Sequence, residues 1–319
     1  MASAYLQRTE SAGNRRTFTW SAWIKRSGFV AQTLPLASCT YSSSDENYIA
    51  FDSSDRLFWG GTASANGTLT LNRKFRDVNA WYHIVLAFDT TQATASDRIK
   101  IYVNGVQETS FSTSTYPNQN TQVYWNVGGT YYPRIGANSD TSVCFDGSMS
   151  HIHGIEGTAY PASTFGESDS NGVWIPKPSP SVTYGTNGYF LKMDNSGNMG
   201  LDSGGGSNNF TTSGTIIQAK DTPSNVFTTL NPLCNGSKTT LSNGNTVATG
   251  NHSGDSGMST VTLPVASSGK YYWEMKITGS HADYPKAGIF KDWEAIAQGT
   301  MNGASGGAFQ LDAYIQKGS

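Results

Sequence analysis

The stretch from Asp77 to Gln107, DVNAWYHIVLAFDTTQATASDRIKIYVNGVQ, decides how the rest of the chain is read. Tyr82 to Phe88 is a nearly unbroken apolar run, the pattern of a strand buried on both faces. Ile99, Ile101 and Val103 alternate with Arg98, Lys100 and Tyr102, which predicts a strand with one face in a core and one in water. Asn104-Gly105 then supplies two residues that tolerate φ > 0, as both central positions of a type I′ hairpin turn require. Between the two strands, DTTQATASD is polar and turn-forming.

The composition extends this reading to the whole chain. Its 319 residues suffice for two ordinary domains or one large β domain. The 35 glycines, 12% aromatic and 14% charged residues suit an all-β protein with many turns, and no long helical pattern appears. The formal net charge of −2 gives no electrostatic case for nucleic acid or an anionic membrane as partner. Cys39, Cys144 and Cys234 are too widely spaced for a metal signature or a disulfide framework. The N-terminal stretch lacks an apolar signal-peptide core and no segment is long enough to span a membrane, so the expectation is folding in a cytoplasm.

Upstream, Thr17 to Lys25 alternates clearly. Phe18, Trp20, Ala22 and Ile24 share one face, and Thr17, Thr19, Ser21 and Lys25 share the other with Trp23, which predicts a half-buried strand. Tyr48 to Phe51, Arg56 to Trp59 and Thr68 to Leu71 read as further short strands, and Arg73-Lys74-Phe75-Arg76 as a solvated hairpin tip. Beyond the central hairpin, Tyr116, Tyr124, Trp125, Tyr131 and Tyr132 cluster in a segment rich in Thr and Asn. Aromatic faces stack on the C–H surfaces of sugars, so Tyr124, Trp125, Tyr131 and Tyr132 are candidate glycan contacts; packing between sheets is the alternative.

Three blocks, in order, resemble the laminin-G-like, concanavalin A-like lectin/glucanase family. They are FTWSAWIKRS, the Trp81-x-His83 strand with its partner ending in Val103-Asn104-Gly105, and IGA followed by FDGSMSHIHGIEGTAYPASTFGE. The resemblance implies a jelly-roll β-sandwich over residues 1–166. Ser150 stands where the family often has Asp, so a site built on that acid does not carry over. Residues 184–233 look like the linker that follows a laminin-G-like domain in structural proteins of marine and cyanobacterial tailed phages. GKYYWEMKI, at 269–277, is similar to the strand that identifies SPRY-type sandwiches, with Tyr271, Trp273, Met275 and Ile277 on one face. The expected organisation is a sandwich over 1–166, a Pro/Gly-rich linker packing on it over 167–225, and a SPRY-like β region over 226–319. That last region is either reduced or continues beyond residue 319.

These resemblances imply a phage virion surface protein, a tail fibre or tailspike-like component, made in the host cytoplasm. It would bind other virion proteins and a host-surface glycan, with a homotrimer expected by analogy with phage fibres. A capsid decoration or head-fibre protein is the alternative, and a carbohydrate-active enzyme the third reading. Glycoside hydrolysis usually needs two carboxylates roughly 5–10 Å apart. The glucanase pattern Glu-x-Asp-x-x-Glu is absent, so no catalytic residue is assigned. His83 reads as a structural hydrogen-bonding residue. His151 and His153, two apart, would face one side of a strand without an evident third metal ligand. Asp194, Asn195, Asn198 and Asp202 form an oxygen-rich, Gly-punctuated loop. They are the one candidate Ca²⁺ site, set against a reading as turn formers; no other cofactor is expected.

Overall fold

A computed structural model describes residues 4–276, apart from 30, 41–44, 130–131, 237–238, 251–258, 263–267, 271 and 273. It divides into two compact units, Met1–Phe227 and Thr228–Ser319. The first is a sandwich of antiparallel sheets. Its strands are β1 (Tyr5–Gln7), β2 (Thr17–Arg26), β3 (Leu34–Thr40), β4 (Glu46–Phe51), β5 (Arg56–Gly61), β6 (Thr68–Lys74), β7 (Tyr82–Asp89) and β8 (Ile99–Val103). They continue with β9 (Val106–Gln107), β10 (Phe111–Thr115), β11 (Arg134–Ile135), β12 (Gly147–Glu156), β13 (Gly166–Ser168), β14 (Trp174–Pro176), β15 (Tyr189–Leu191) and β16 (Thr211–Ser213). One sheet has eight strands in the order β10-β6-β5-β4-β3-β11-β1-β16, the other six in the order β15-β12-β2-β7-β8-β9. Hairpin β13–β14 pairs only with itself. The segment expected as a linker thus supplies a strand to each sheet: β15 pairs with β12, and β16 with β1.

The core lies between the sheets and is built on the alternation of β2. Phe18, Trp20, Ala22 and Ile24 enter it, and pairing from Thr17↔Asp89 to Ile24↔Tyr82 brings Leu86 and Phe88 of β7 alongside. Phe18 stacks on Phe88 at 4.7 Å between ring centroids and on Trp125 at 5.2 Å. Trp59 from the opposite sheet leans on Phe88 and Trp125 at 5.2 and 5.7 Å. The central hairpin forms as its sequence dictates: Asn104 (φ 48°) and Gly105 (φ 85°) both adopt positive φ between the paired Val103 and Val106.

Two local expectations need correction. Strand β2 is buried on both faces, not one: Ser21 and Trp23, on the face expected in water, are 0% and 2% exposed because residues 158–184 cover them. The basic run 73–76 is not a solvated tip. Arg73 and Lys74 extend β6, while Phe75 is fully buried against Phe51 and Tyr82. Asp55 explains the turn inward, since its carboxylate pairs with the buried Arg26 at 3.1 Å and with Arg76 at 2.8 Å, and Arg26 also donates to the Phe75 carbonyl. A buried guanidinium is tolerated only when paired and hydrogen-bonded in this way.

In the second unit, β17 (Leu230–Asn235) pairs with β18 (Ser259–Val261), and a separate hairpin joins Thr239–Ser242 to Val247–Gly250. Tyr271, Trp273 and Ile277 of the expected SPRY-like strand lie outside the described residues, and Tyr272 is 86% exposed. All three cysteines, Cys39, Cys144 and Cys234, are free thiols.

Trp20 is fully buried, and truncating a buried aromatic costs about 3–5 kcal/mol. Trp20→Ala should therefore lower the unfolding free energy of the first unit by that amount in urea titration. A midpoint unchanged from the parent would displace Trp20 from the core.

Candidate functional site

The two sheets present very different outer faces. On the six-stranded sheet, cross-strand register aligns Ser21 with His153 and Val85, and Trp23 with Ser150 and His83. Residues 158–184 close over this face, with Ile155, Val85, Ala162 and Phe165 at the centre of a second apolar cluster and Tyr160, Trp174 and Tyr184 at its rim. Trp174 is the bolt. Its indole N–H donates to His83 Nδ1 at 3.0 Å, and its ring lies against Gly105 and Gly166, where a Cβ would sit 2.8 and 2.6 Å from it. An indole can only donate, so His83 must be neutral with its proton on Nε2, which is 2.9 Å from Ser21 Oγ. Burial pushes the His83 imidazole down to about 3, and that of His153 well below its ordinary range.

His151 and His153 both lie against the Phe190 ring, at 6.2 and 4.0 Å between centroids, as their expected placement on one side of the strand implies, although the strand between them is irregular. A bulge between Ser150 and His153 breaks the alternation, and His151 takes up the strain at φ 48°. Its Nδ1 bonds the neighbouring Ser150 hydroxyl, whereas His153 lies buried against Phe190 and reaches the Tyr184 hydroxyl. This face is therefore packing. It has no room for a polymeric ligand, and among the described residues no cluster of His, Cys, Asp or Glu could hold a metal.

The eight-stranded sheet keeps aromatic side chains partly in water. Register lines up Thr115, Thr68, Gly60, Tyr48, Ser38, Arg134, Gln7 and Thr211 across the sheet, beside a second row of Thr113, Thr70, Phe58, Ala50 and Pro35. Strand alternation turns these residues away from the core that Leu69, Ile49, Ala37 and Ile135 enter. Tyr48 and Phe58 are half-buried and meet edge to face at 5.5 Å. Gly60 beside them has no side chain to cover the rings. Tyr132, 36% exposed, carries the Arg134 guanidinium over its ring at 5.6 Å. The Tyr48 phenol is held above its usual range by burial and by Glu46, so it remains a hydrogen-bond donor. The result is a platform in which the half-buried Tyr48 and Phe58 sit among buried Ser38, Ala50 and Gly60, with Thr113, Thr115 and Thr211 exposed at the ends of the rows.

The candidates chosen from sequence fare unequally against this geometry. Tyr132 belongs to the platform. Trp125 does not: it is 8% exposed and stacked in the core, because the alternation of Val123 and Trp125 against Asn47 directs both inward. Tyr124 lies between them, half-buried, with its amide on Asn47 Oδ1. Tyr131 lies outside the described residues. Tyr48 and Phe58 were read only as strand residues. The signal that could have found them is the partner-strand glycine, Gly60, together with their place on the face opposite Ile49 and Trp59.

The calcium loop does not fit an ion. The Asp202 carboxylate already accepts three backbone amides, from Phe190 and Gly204 on one oxygen and Asn208 on the other. Asn195 closes a turn by accepting from the Gly197 amide. Asp194, Asn195 and Asn198 are exposed, so an ion would have to displace Asp202 from the turn it organises.

Residues 2–154 match the family described as the concanavalin A-like lectin/glucanases superfamily. The fold of this segment is a concanavalin A-like sandwich. The match ends two residues short of the close of β12, so β15 and β16 are additions outside it that complete the two sheets. No curated protein matches the chain. Among solved structures, the chain is similar to a heptameric pentraxin of Limulus polyphemus, at 18% identity and TM-score 0.36, over 49% of this chain and 71% of that one. It is also similar to domain 4 of an extracellular arabinanase of Geobacillus stearothermophilus, at 16% identity and TM-score 0.36, over 49% and 68%. A third is tailspike protein 2 of bacteriophage CBA120, at 13% and 0.32, over 50% of this chain and 25% of that one.

The buried histidines fix how stability depends on pH. His83 titrates near 3 when folded against an ordinary 6.5, so the unfolded chain binds more protons between those values. Stability from this face is complete above about pH 6.5 and falls as pH drops towards 3. Glu10, whose side chain is 2% exposed, acts oppositely: burial raises it from 4.5 to about 7. Its contribution is complete below 4.5 and is lost as pH rises through 7. Melting temperature should therefore decline on both sides of a mildly acidic optimum, and Glu10→Gln should flatten the alkaline side alone. An alkaline decline that survives this substitution would remove Glu10 as its cause.

Proposed function

We propose that this protein is a carbohydrate-binding attachment module of a phage particle, and that the outer face of the eight-stranded sheet is its glycan platform. The observation that carries the reading is the half-buried edge-to-face pair Tyr48–Phe58 beside Gly60, with Tyr48 in the same row as Arg134, whose guanidinium lies over the Tyr132 ring. Rings stack on pyranose C–H faces, while the flanking threonines, Gln7 and the guanidinium offer hydrogen bonds to hydroxyls or acidic groups. Such a shallow face binds weakly, and a virion supplies strength by repeating it; a trimer of this chain would bring three copies together. The particle assignment rests on the likeness of residues 184–233 to the linker of tailed-phage structural proteins.

Binding is favoured over hydrolysis by the charges on the platform. Neither row through Tyr48 or Phe58 contains a carboxylate. Just beyond them, Glu46 accepts the Ser139 amide and Asp52 is paired with Arg56 at 2.7 Å. The two-carboxylate arrangement of a glycosidase has no place to form there.

A glycan array probed with the purified chain tests the platform. Tyr48→Ala, Phe58→Ala and Tyr132→Ala should each weaken the bound signal about tenfold, the change that a ring contributing roughly 1.4 kcal/mol to binding would produce. Melting should change little for Tyr132→Ala. Retained binding in all three variants would remove the platform. Immunogold labelling of particles tests the location: label on the tail supports an attachment fibre, label over the head a capsid decoration protein, and no label sinks the virion reading.

A further inference from the structure

At one end of the six-stranded sheet, Lys25 is buried among groups that the glycan platform does not use. Its side chain is 5% exposed, although lysine is among the residues least often buried. The ammonium Nζ is 2.6 Å from Asp221 Oδ2 and 3.1 Å from Asn79 Oδ1. The Asp221 side chain is 9% exposed, and its other oxygen accepts from the Trp81 indole at 3.2 Å and the Phe227 amide at 3.0 Å. Trp81 is itself buried. The Asn79 backbone is fixed as well, since Asp77 Oδ1 accepts the amides of Asn79 and Ala80 and so sets the turn before β7. The Lys25 amine thus has a side-chain amide and a carboxylate both within hydrogen-bond reach, with the amine and the carboxylate largely shielded from water.

We propose that Lys25 and Asn79 join spontaneously as an intramolecular isopeptide bond, with Asp221 as the proton carrier. Within the ion pair, Lys25 Nζ passes one proton to Asp221 Oδ2, which leaves a neutral amine and a neutral carboxylic acid. The Nζ lone pair attacks Asn79 Cγ, and the acid polarises the amide by hydrogen bonding. Nζ loses a second proton, Nδ2 gains one, and the Cγ–Nδ2 bond breaks. Ammonia departs with the proton held by Asp221, so the carboxylate is restored. One ammonium ion leaves, one C–N bond replaces another, and no oxidant or other co-reactant is required. Proximity is the main accelerant, as expected when reacting groups are pre-positioned. Trp81 and the Phe227 amide act as positioning groups that hold the carboxylate in place.

The bond would tie the end of β2 to the turn before β7. These strands are antiparallel neighbours at the centre of the six-stranded sheet, so the link would resist their separation, as suits a protein exposed outside a cell. The test is the mass of the full chain purified under native conditions. The parent should be lighter than its sequence by one ammonia, and tryptic digestion should yield a branched peptide joining the Lys25 and Asn79 segments. Lys25→Arg keeps a cation beside Asp221 and should restore the full mass in a folded protein, as should Asn79→Ala. Asp221→Ala should also show the full mass, with circular dichroism confirming the fold. A parent at full mass after prolonged incubation overturns the proposal. So does ammonia loss that persists in Lys25→Arg, which would point instead to cyclisation of an asparagine on its own backbone.

Discussion

The six-stranded sheet is apolar on both faces, and most of the structure answers that constraint. One face is covered by the opposite sheet through the Phe18, Phe88, Trp59 and Trp125 stack. The other would leave Trp23, His83 and Val85 in water unless another part of the chain covered it. Residues 158–184 do so, and Trp174 fixes them by filling the space above Gly105 and Gly166 and donating to His83. The short β13–β14 hairpin, the bulge at His151 and the neutral state of His83 all follow from this arrangement.

Closing one face also determines where a ligand can bind. A covered sheet cannot offer a cleft, which is why the proposed glycan platform lies on the eight-stranded sheet, whose outer rows mix rings with small hydroxyl side chains. The segment that provides the cover leads on to β15 and β16 at the edges of both sheets. The same stretch then reaches Asp221, which holds Lys25 at the sheet end. Residues 158–227 thus cover, edge and clamp a sandwich whose family match ends at residue 154.

Polar groups in this unit are placed by satisfaction as much as by apolar burial. Arg26 and Asp55 draw the basic run 73–76 inward. Asp202 spends its oxygens on three amides of a glycine-rich turn that could be taken for an ion site. In the first place a local count of charges pointed towards solvent and a distant partner, Arg26, changed the outcome; in the second, nearby amides took up the oxygens, in line with the turn-forming reading.

The sequence by itself determined the strands with strong alternation and the turn between them. Ile99 to Val103 and Asn104-Gly105 carry period-two burial and φ > 0 chemistry locally, so their form needs no knowledge of the rest, while Phe18 to Ile24 showed its core face but not the cover over the other. It also displayed the three blocks of the concanavalin A-like domain. What it could not display is which face of a strand meets which neighbour. Trp125 looked like a surface ring because aromatic residues serve cores and sugar sites equally well; its pairing with Phe18 decided the matter. Tyr48 and Phe58 became a platform only when register set them beside Gly60 and in line with Arg134. Lys25, Asn79 and Asp221 are far apart in sequence and met only through folding. Local periodicity fixes an element, but partners distant along the chain fix its environment, and that environment is what chemistry depends on.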